Sequence, residues 1–124
     1  MAAGSAAYRI AGEHDSAGRE DEALLSYREA FELGLEDDEL REALVGFGST
    51  LRNVGELEES ERVLCEGVAR FPDYAPLRVF LALTCWQRGN AGGAFREVVE
   101  ALFAAGAPGM ERFSRSIRAY AAEL

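Results

Sequence analysis

Residues 44–72, LVGFGSTLRNVGELEESERVLCEGVARFP, carry the pattern that decides the fold of this chain. Apolar and small residues recur there at helical spacing on two successive stripes, and a turn at residues 53–55 separates the stripes. Phe71 and Pro72 close the unit, so the stretch predicts two helices joined by a short turn. The first stripe is Leu44, Phe47, Gly48 and Leu51, and the second is Leu57, Ser60, Leu64, Gly67 and Val68.

The order of large and small residues resembles the tetratricopeptide repeat, in which W-x2-L-G-x2-Y, A-x3-F and a closing P extend over two antiparallel helices. Large residues take the bulky positions here, Gly48 and Ser60 take the small ones, and Pro72 closes the repeat. Two helices cross closely only where small residues meet large ones, so the sizes of the residues matter more than their identities.

The same sizes recur in register on both sides of this stretch. A step of 34 residues, the period of that family, relates Gly48 to Ala82, Leu51 to Cys85, Gly55 to Gly89, Ser60 to Ala94, Leu64 to Val98 and Gly67 to Ala101. In the other direction, from the turn at Gly55 to the turn at Gly18, the pattern falls on Ile10, Ala11, His14, Ala23, Tyr27 and Ala30. We therefore predict an all-α fold, and the resemblance implies a right-handed α-solenoid of three antiparallel helix pairs plus a C-terminal capping helix.

One domain is expected over residues 1–124, because a chain of this length with 48% hydrophobic content can build a single core. The repeats are predicted at residues 4–40, 41–74 and 75–108, and the capping helix at residues 109–124. That last helix has apolar residues on one side and charged residues on the other. Such a helix suits the end of a stack, where it covers the last apolar face.

The formal net charge of -9 comes from 22 acidic and 13 basic residues, and every basic residue is arginine. The acidic residues cluster in short runs that suit helix starts and solvated outer faces. A nucleic-acid partner is disfavoured because phosphate binding needs a basic stripe, and an anionic membrane surface would repel the chain. No apolar run is long enough to span a bilayer and no secretory signal begins the chain, so a cytoplasmic location is expected. The arginine-only set indicates a GC-rich bacterial genome.

No combination of residues predicts an enzyme, a metal site or a cofactor. His14, Asp15 and Ser16 are the three residue types of a hydrolase triad, but consecutive helical residues point in different directions. One histidine and two separated cysteines offer no metal-ligand spacing. Cys65 and Cys85 are expected to be buried reduced thiols, with a redox pair between adjacent helices as the alternative. We therefore predict no catalytic residues and no cofactor.

Residues 76–86, PLRVFLALTCW, form a predicted helix that is apolar nearly all round. A helix of this kind is buried or waits for a partner. In the family that the chain resembles, the first helix of each pair turns one stripe toward a concave groove that typically binds peptides. The resemblance thus implies a partner-binding groove, polar at one end and apolar at the other, that is lined by Tyr8, Asp15, Val45, Ser49, Arg52, Asn53, Val79, Phe80, Leu83, Trp86, Phe113, Ile117 and Tyr120.

Two hypotheses for the function remain open at this point. In the first, the groove binds an apolar or amphipathic segment of another protein, anchored by Trp86 and its apolar neighbours, with Arg52 and Tyr8 giving polar orientation. In the second, the same surface forms a two-fold homodimer. The last helix would leave no exposed patch if it folded over Val79, Leu83 and Trp86. The mass of the free protein in solution separates these two hypotheses.

Overall fold

Seven α-helices and one short 3-10 turn make up the computed structural model, which describes residues 1–124 and contains no strand. The helices are α1 (Ser5–Ser16), α2 (Glu20–Leu33), α3 (Asp37–Asn53), α4 (Leu57–Arg70), α5 (Ala75–Gln87), α6 (Ala91–Ala104) and α7 (Ser114–Ala121), and the 3-10 turn Glu111–Phe113 precedes α7. The predicted all-helical fold is confirmed. The last helix is shorter than the sequence pattern predicts, because residues 111–113 form the tighter turn instead.

Consecutive helices pack in pairs: α1 against α2, α3 against α4, and α5 against α6. The glycines of the three turns, Gly18, Gly55 and Gly89, have positive φ angles of 76°, 87° and 82°. Glycine adopts this conformation without steric cost, which is why the turns fall at the same place in each pair. Helix α3 also packs on α1 and α2, and α5 packs on α3 and α4. The three pairs therefore stack in chain order.

The two helices of the middle pair approach each other closely at Gly48. A Cβ atom at this position would lie 2.5 Å from Cγ of Leu64. Ser60 is fully buried, and its hydroxyl donates to the carbonyl oxygen of Gly48 at 2.7 Å. The same hydroxyl lies 2.9 Å from the hydroxyl of Thr84 on α5. Small residues at positions 48 and 60 thus let α3 and α4 meet, as the size pattern predicts.

The apolar core lies between successive pairs. One cluster joins the first two pairs, where the rings of Tyr27 and Phe31 lie 6.0 Å and 5.3 Å from the ring of Phe47. A second cluster joins the middle and last pairs and consists of Leu64, Leu77, Leu81, Ala82, Cys85 and Ala94. The apolar face of each of the first two pairs is therefore covered by a helix of the next pair.

The first cluster also contains a buried tyrosine hydroxyl. Tyr27 is 3% exposed, and its Oη donates to Oδ2 of Asp15 at 3.3 Å. Burial, and after it the charge of Asp15, raises the pKa of Tyr27 well above its usual range. A raised pKa in the folded state favours the neutral phenol, so this contribution to stability is complete below pH 10 and is lost as the pH rises toward the folded-state pKa.

We expect the free energy of unfolding to fall by about 1.4 kcal/mol between pH 8 and about pH 11 because of Tyr27 alone, since the unfolded tyrosine is then about ten-to-one ionised. The chain has no lysine, but three other tyrosines and two cysteines also titrate in this range, so the contribution of Tyr27 is obtained by comparing variants. Urea unfolding at the two pH values measures the difference. Tyr27→Phe should remove this part of the pH dependence, whereas Tyr120→Phe, at an exposed position, should retain it. The same pH dependence in both variants would contradict the assignment.

Candidate interaction surface

Six large apolar side chains at the end of the stack are exposed to solvent. All six lie on α5 and α6, and Trp86 is the most open of them, at 67%. Exposed apolar patches on soluble proteins commonly mark interaction sites. The six residues, which we call the apolar patch, are Val79, Leu83, Trp86, Phe95, Val98 and Leu102.

A cavity of about 660 Å³ opens at this patch, between α5 and α6. Nine of its ten lining residues are hydrophobic, and none has a charged side chain. We call it the α5/α6 cavity. Its lining consists of Val79, Ala82, Leu83, Trp86, Ala91, Gly92, Ala94, Phe95, Val98 and Leu124.

The position of the cavity follows from the repeat. Val98 on α6 corresponds to Leu64 on α4, one period of 34 residues earlier. Leu64 is fully buried because Leu77 and Leu81 of α5 pack against it. No further helix covers Val98, which is exposed. The cavity therefore occupies the face that the first helix of a following pair would cover.

Helix α7 does not fill this space, because it packs on a different side of α6. Nε of Arg118 donates to Oε2 of Glu100 at 2.9 Å, and the guanidinium of Arg118 lies 4.2 Å from the ring centre of Phe103. Ala121 is buried in the same contact. Leu124 is the only residue after α6 that lines the cavity. The last helix therefore does not cover Val79, Leu83 and Trp86, which stay exposed.

Two charged residues, one in the 3-10 turn and one in α7, explain this placement. Helices α3 and α5 cover the preceding pair with residues at spacing i, i+4 and i+8, namely Ala43, Phe47 and Leu51 on α3, and Leu77, Leu81 and Cys85 on α5. The next residues in register are Glu111, Arg115 and Ala119. Burying Glu111 and Arg115 on an apolar face would leave two charges without solvent. Residues 111–119 therefore do not cover the cavity in the way that α5 covers α3 and α4.

The predicted groove residues at the polar end already have partners within the chain. Oη of Tyr8 donates to Oε2 of Glu42 at 3.0 Å, and Asp15 accepts from Tyr27. Burial, followed by the hydrogen bond to Glu42, raises the pKa of Tyr8 to about 12. The Asp15–Tyr27 bond lies within the first pair, and the Tyr8–Glu42 bond joins α1 to α3 of the next pair.

In the middle of the predicted groove, side chains also contact the neighbouring pair. Nη1 of Arg52 donates to Oε1 of Gln87 at 2.9 Å, and Val45 packs against the second core cluster. Ser49 is half-buried and Asn53 is exposed. Of these four residues, only Asn53 is exposed.

The remaining predicted residues do not form one surface. Val79, Leu83 and Trp86 line the α5/α6 cavity, but Phe80 packs half-buried against the second core cluster. The aromatic residues of the last segment, Phe113 and Tyr120, are exposed, and Ile117 is half-buried, but none of the three lines the cavity. The structure thus brings together three of the thirteen predicted groove residues at the apolar cavity.

Sequence reasoning missed the contribution of α6 to this surface. Phe95 and Val98 line the cavity, although the repeat register gives Val98 the position of a buried core residue. A signal was present, because positions that are buried by the next pair must be exposed in the last one. The charged residues Glu111 and Arg115 were the indication that no such next helix follows.

The reactive residue types lie away from the cavity. Cys85 is buried but Cys65 is exposed, so the expectation that both thiols are buried is wrong for Cys65. Burial raises the pKa of Cys85 to about 11, so its thiol stays protonated and a weak nucleophile at neutral pH. No three His, Cys, Asp or Glu side chains lie together in a way that could hold a metal ion. No helix is both long and apolar enough to cross a membrane.

Comparison with known proteins agrees with the helical architecture. A family model described as a tetratrico peptide repeat matches residues 4–124, which include all seven helices. No curated protein matches the chain.

Proposed function

Because this chain belongs to the tetratricopeptide repeat family, we propose that it is a non-catalytic module that binds an apolar or amphipathic segment of a partner protein in the α5/α6 cavity. The family in general provides scaffolds for protein–protein interaction. The fold alone does not choose the binding surface, which has to be argued from the site. One observation carries the choice: the cavity is open, and nine of its ten lining residues are hydrophobic.

Burial of the apolar patch supplies the free energy for docking. A large apolar side chain contributes about 1.5–3 kcal/mol when it becomes fully buried. Tryptophan is among the residues that most often anchor an interface, and Trp86 is the most exposed member of the patch. Since no charged side chain lines the cavity, an apolar ligand would not strand a charge away from water.

The polar end of the predicted groove is a weaker candidate for the same role. Tyr8, Asp15 and Arg52 are already hydrogen-bonded to residues of this chain. A ligand that used these groups would first have to break the existing bonds, and only the difference in free energy would favour binding. The α5/α6 cavity requires no such exchange.

Selection of peptides from a random library displayed on phage tests this proposal. We expect the protein to enrich peptides rich in apolar residues, and Trp86→Glu to weaken their binding at least about 100-fold, a loss of about 2.7 kcal/mol. Fluorescence anisotropy of labelled peptides measures the dissociation constants. Trp86 is the only tryptophan of the chain, so a shift of its emission to shorter wavelength reports burial at the cavity directly.

Leu25→Glu is the matched control, because Leu25 on α2 is 71% exposed and lies outside the cavity. It introduces the same charge on an exposed apolar residue, and we expect it to leave the dissociation constants unchanged. Failure to enrich any peptide, or equal binding by Trp86→Glu and the unaltered protein, would refute the proposed function.

A homodimer is the second candidate function, because the uncharged lining of the cavity would not repel a second copy. We expect instead a monomer in light scattering across a range of concentrations, since each copy carries a net charge of -9. A persistent dimer that Trp86→Glu converts to a folded monomer would mean that the patch is used between copies.

A further inference from the structure

We propose that the segment which docks in the α5/α6 cavity is an amphipathic α-helix of a partner protein, and that it lies where the first helix of a fourth pair would lie. This inference rests on the proposed function and adds the conformation and the residue pattern of the ligand. It comes from the way the chain covers the equivalent faces of its own first two pairs.

Those two faces are both covered by a helix, and by the same spacing of residues. Helix α3 covers the first pair and α5 covers the second. In each case the contact residues lie on three successive turns of the covering helix, at i, i+4 and i+8. The α5/α6 cavity is the same face one period later, with Ala82, Ala94 and Val98 at the positions of Gly48, Ser60 and Leu64. A surface built on this repeat is shaped for a helix with that spacing.

The length of the cavity fits a short helix. Val79 and Trp86 line it on α5, and Ala91 and Val98 line it on α6. Each of these pairs is seven residues apart along a helix, which is about 10 Å. A docked helix of about 11 residues, roughly three turns, can therefore contact the whole lining.

One position distinguishes this cavity from the junctions inside the stack. At the junction of α3 and α5, Arg52 donates a hydrogen bond to Gln87. Trp86 takes the place of Arg52 one period later. The residue of the docked helix that corresponds to Gln87 lies ten positions after the one that corresponds to Leu77. This residue of the docked helix therefore faces the indole of Trp86, and we expect it to be apolar.

A second copy of this chain is a poorer occupant. The turns at Gly18 and Gly55 are 37 residues apart. The same step back from the covering residues of α3 gives Ala6, Ile10 and His14 on the first helix of the second copy. Only Ile10 is large and apolar. Stacking of this kind would also leave the same cavity open on every added copy, so it would not close into a defined oligomer.

The experiment uses peptides of about 15 residues, selected from the random library and dependent on Trp86 for binding. We expect their apolar residues to fall at i, i+4, i+8 and i+10, and their circular dichroism to become helical on binding. Proline at a position between these, on the outward face, should raise the dissociation constant at least about 30-fold, because proline inside a helix removes a backbone hydrogen bond and clashes with the preceding turn. A glutamate at the same outward position should have little effect and is the control.

The outcomes separate this inference from the proposed function. Peptides that bind at Trp86 but alternate apolar and polar residues, and that tolerate the proline, would show an extended ligand and overturn the helix while the proposed function stands. A library that yields no Trp86-dependent peptide would overturn both. A particle mass that grows with concentration and falls to that of the monomer in Ile10→Glu would identify a second copy as the occupant, and would also overturn the inference.

Discussion

The Leu64→Ala variant is expected to lose about 2–5 kcal/mol of unfolding free energy, the range for removal of a large side chain from a packed core. Leu64 is fully buried and contacts residues of α5 across the junction of the middle and last pairs. Because a domain of this size is stable by only about 5–15 kcal/mol, the loss would be a large part of the total. Urea unfolding followed by circular dichroism measures it.

Leu25→Ala is the control for this measurement, since Leu25 is an exposed leucine in a helix. We expect it to change the free energy of unfolding by less than about 0.5 kcal/mol. A similar small loss for Leu64→Ala would mean that the junction between the pairs is loosely packed, and that the described core does not hold the stack together.

The Gly48→Val variant is expected to be destabilised by about 2–3 kcal/mol, near the upper end for overpacking of a core. The added Cβ would lie 2.5 Å from both Cγ and Cδ2 of Leu64, so α3 and α4 would have to move apart. Gly12→Val in α1 is the matched control, because no atom lies within 4 Å of a Cβ built there. Thermal unfolding compares the two variants. Valine has a higher helix propensity than glycine, so the control should lose little stability, and a loss as large as that of Gly48→Val would contradict the packing explanation.

The effects of the two substitutions on stability should also be coupled, because the side chain of Leu64 occupies the space next to Gly48 that a Cβ would need. In the Leu64→Ala background, we expect Gly48→Val to cost at least about 1 kcal/mol less than it does alone, within the range seen for residues in contact. Strict additivity of the two losses would contradict the close approach of α3 and α4 at this point.

Much of the fold was predictable because its determinants are local or repeat along the chain. The turn glycines, the small residues at the close approaches and the apolar stripes all recur with a fixed period, so each helix and its pairing could be predicted. The structure confirms this architecture. It departs at the last helix, where Glu111–Phe113 form a 3-10 turn and α7 begins at Ser114.

The binding surface was less predictable, because exposure depends on which helix lies across a given face. The family resemblance placed Arg52 and Phe80 in the same groove as Trp86. In the structure, Arg52 bonds to Gln87 and Phe80 packs against the core, while Trp86 stays exposed. Phe95 and Val98 join Trp86 from the adjacent helix. Equivalent positions of a repeat thus differ in exposure between the middle and the end of a stack.

The sequence by itself determined the helices, their turns and their pairing, since these depend on residue size and spacing within about 30 residues. Only the tertiary structure decided where the stack ends and which apolar face stays uncovered. The physical reason is that burial is a property of two surfaces together: Val98 has the same character as Leu64, but α5 covers Leu64 and nothing covers Val98. Glu111 of the 3-10 turn and Arg115 of α7 stand at the covering positions, and the cost of burying those charges leaves the α5/α6 cavity open.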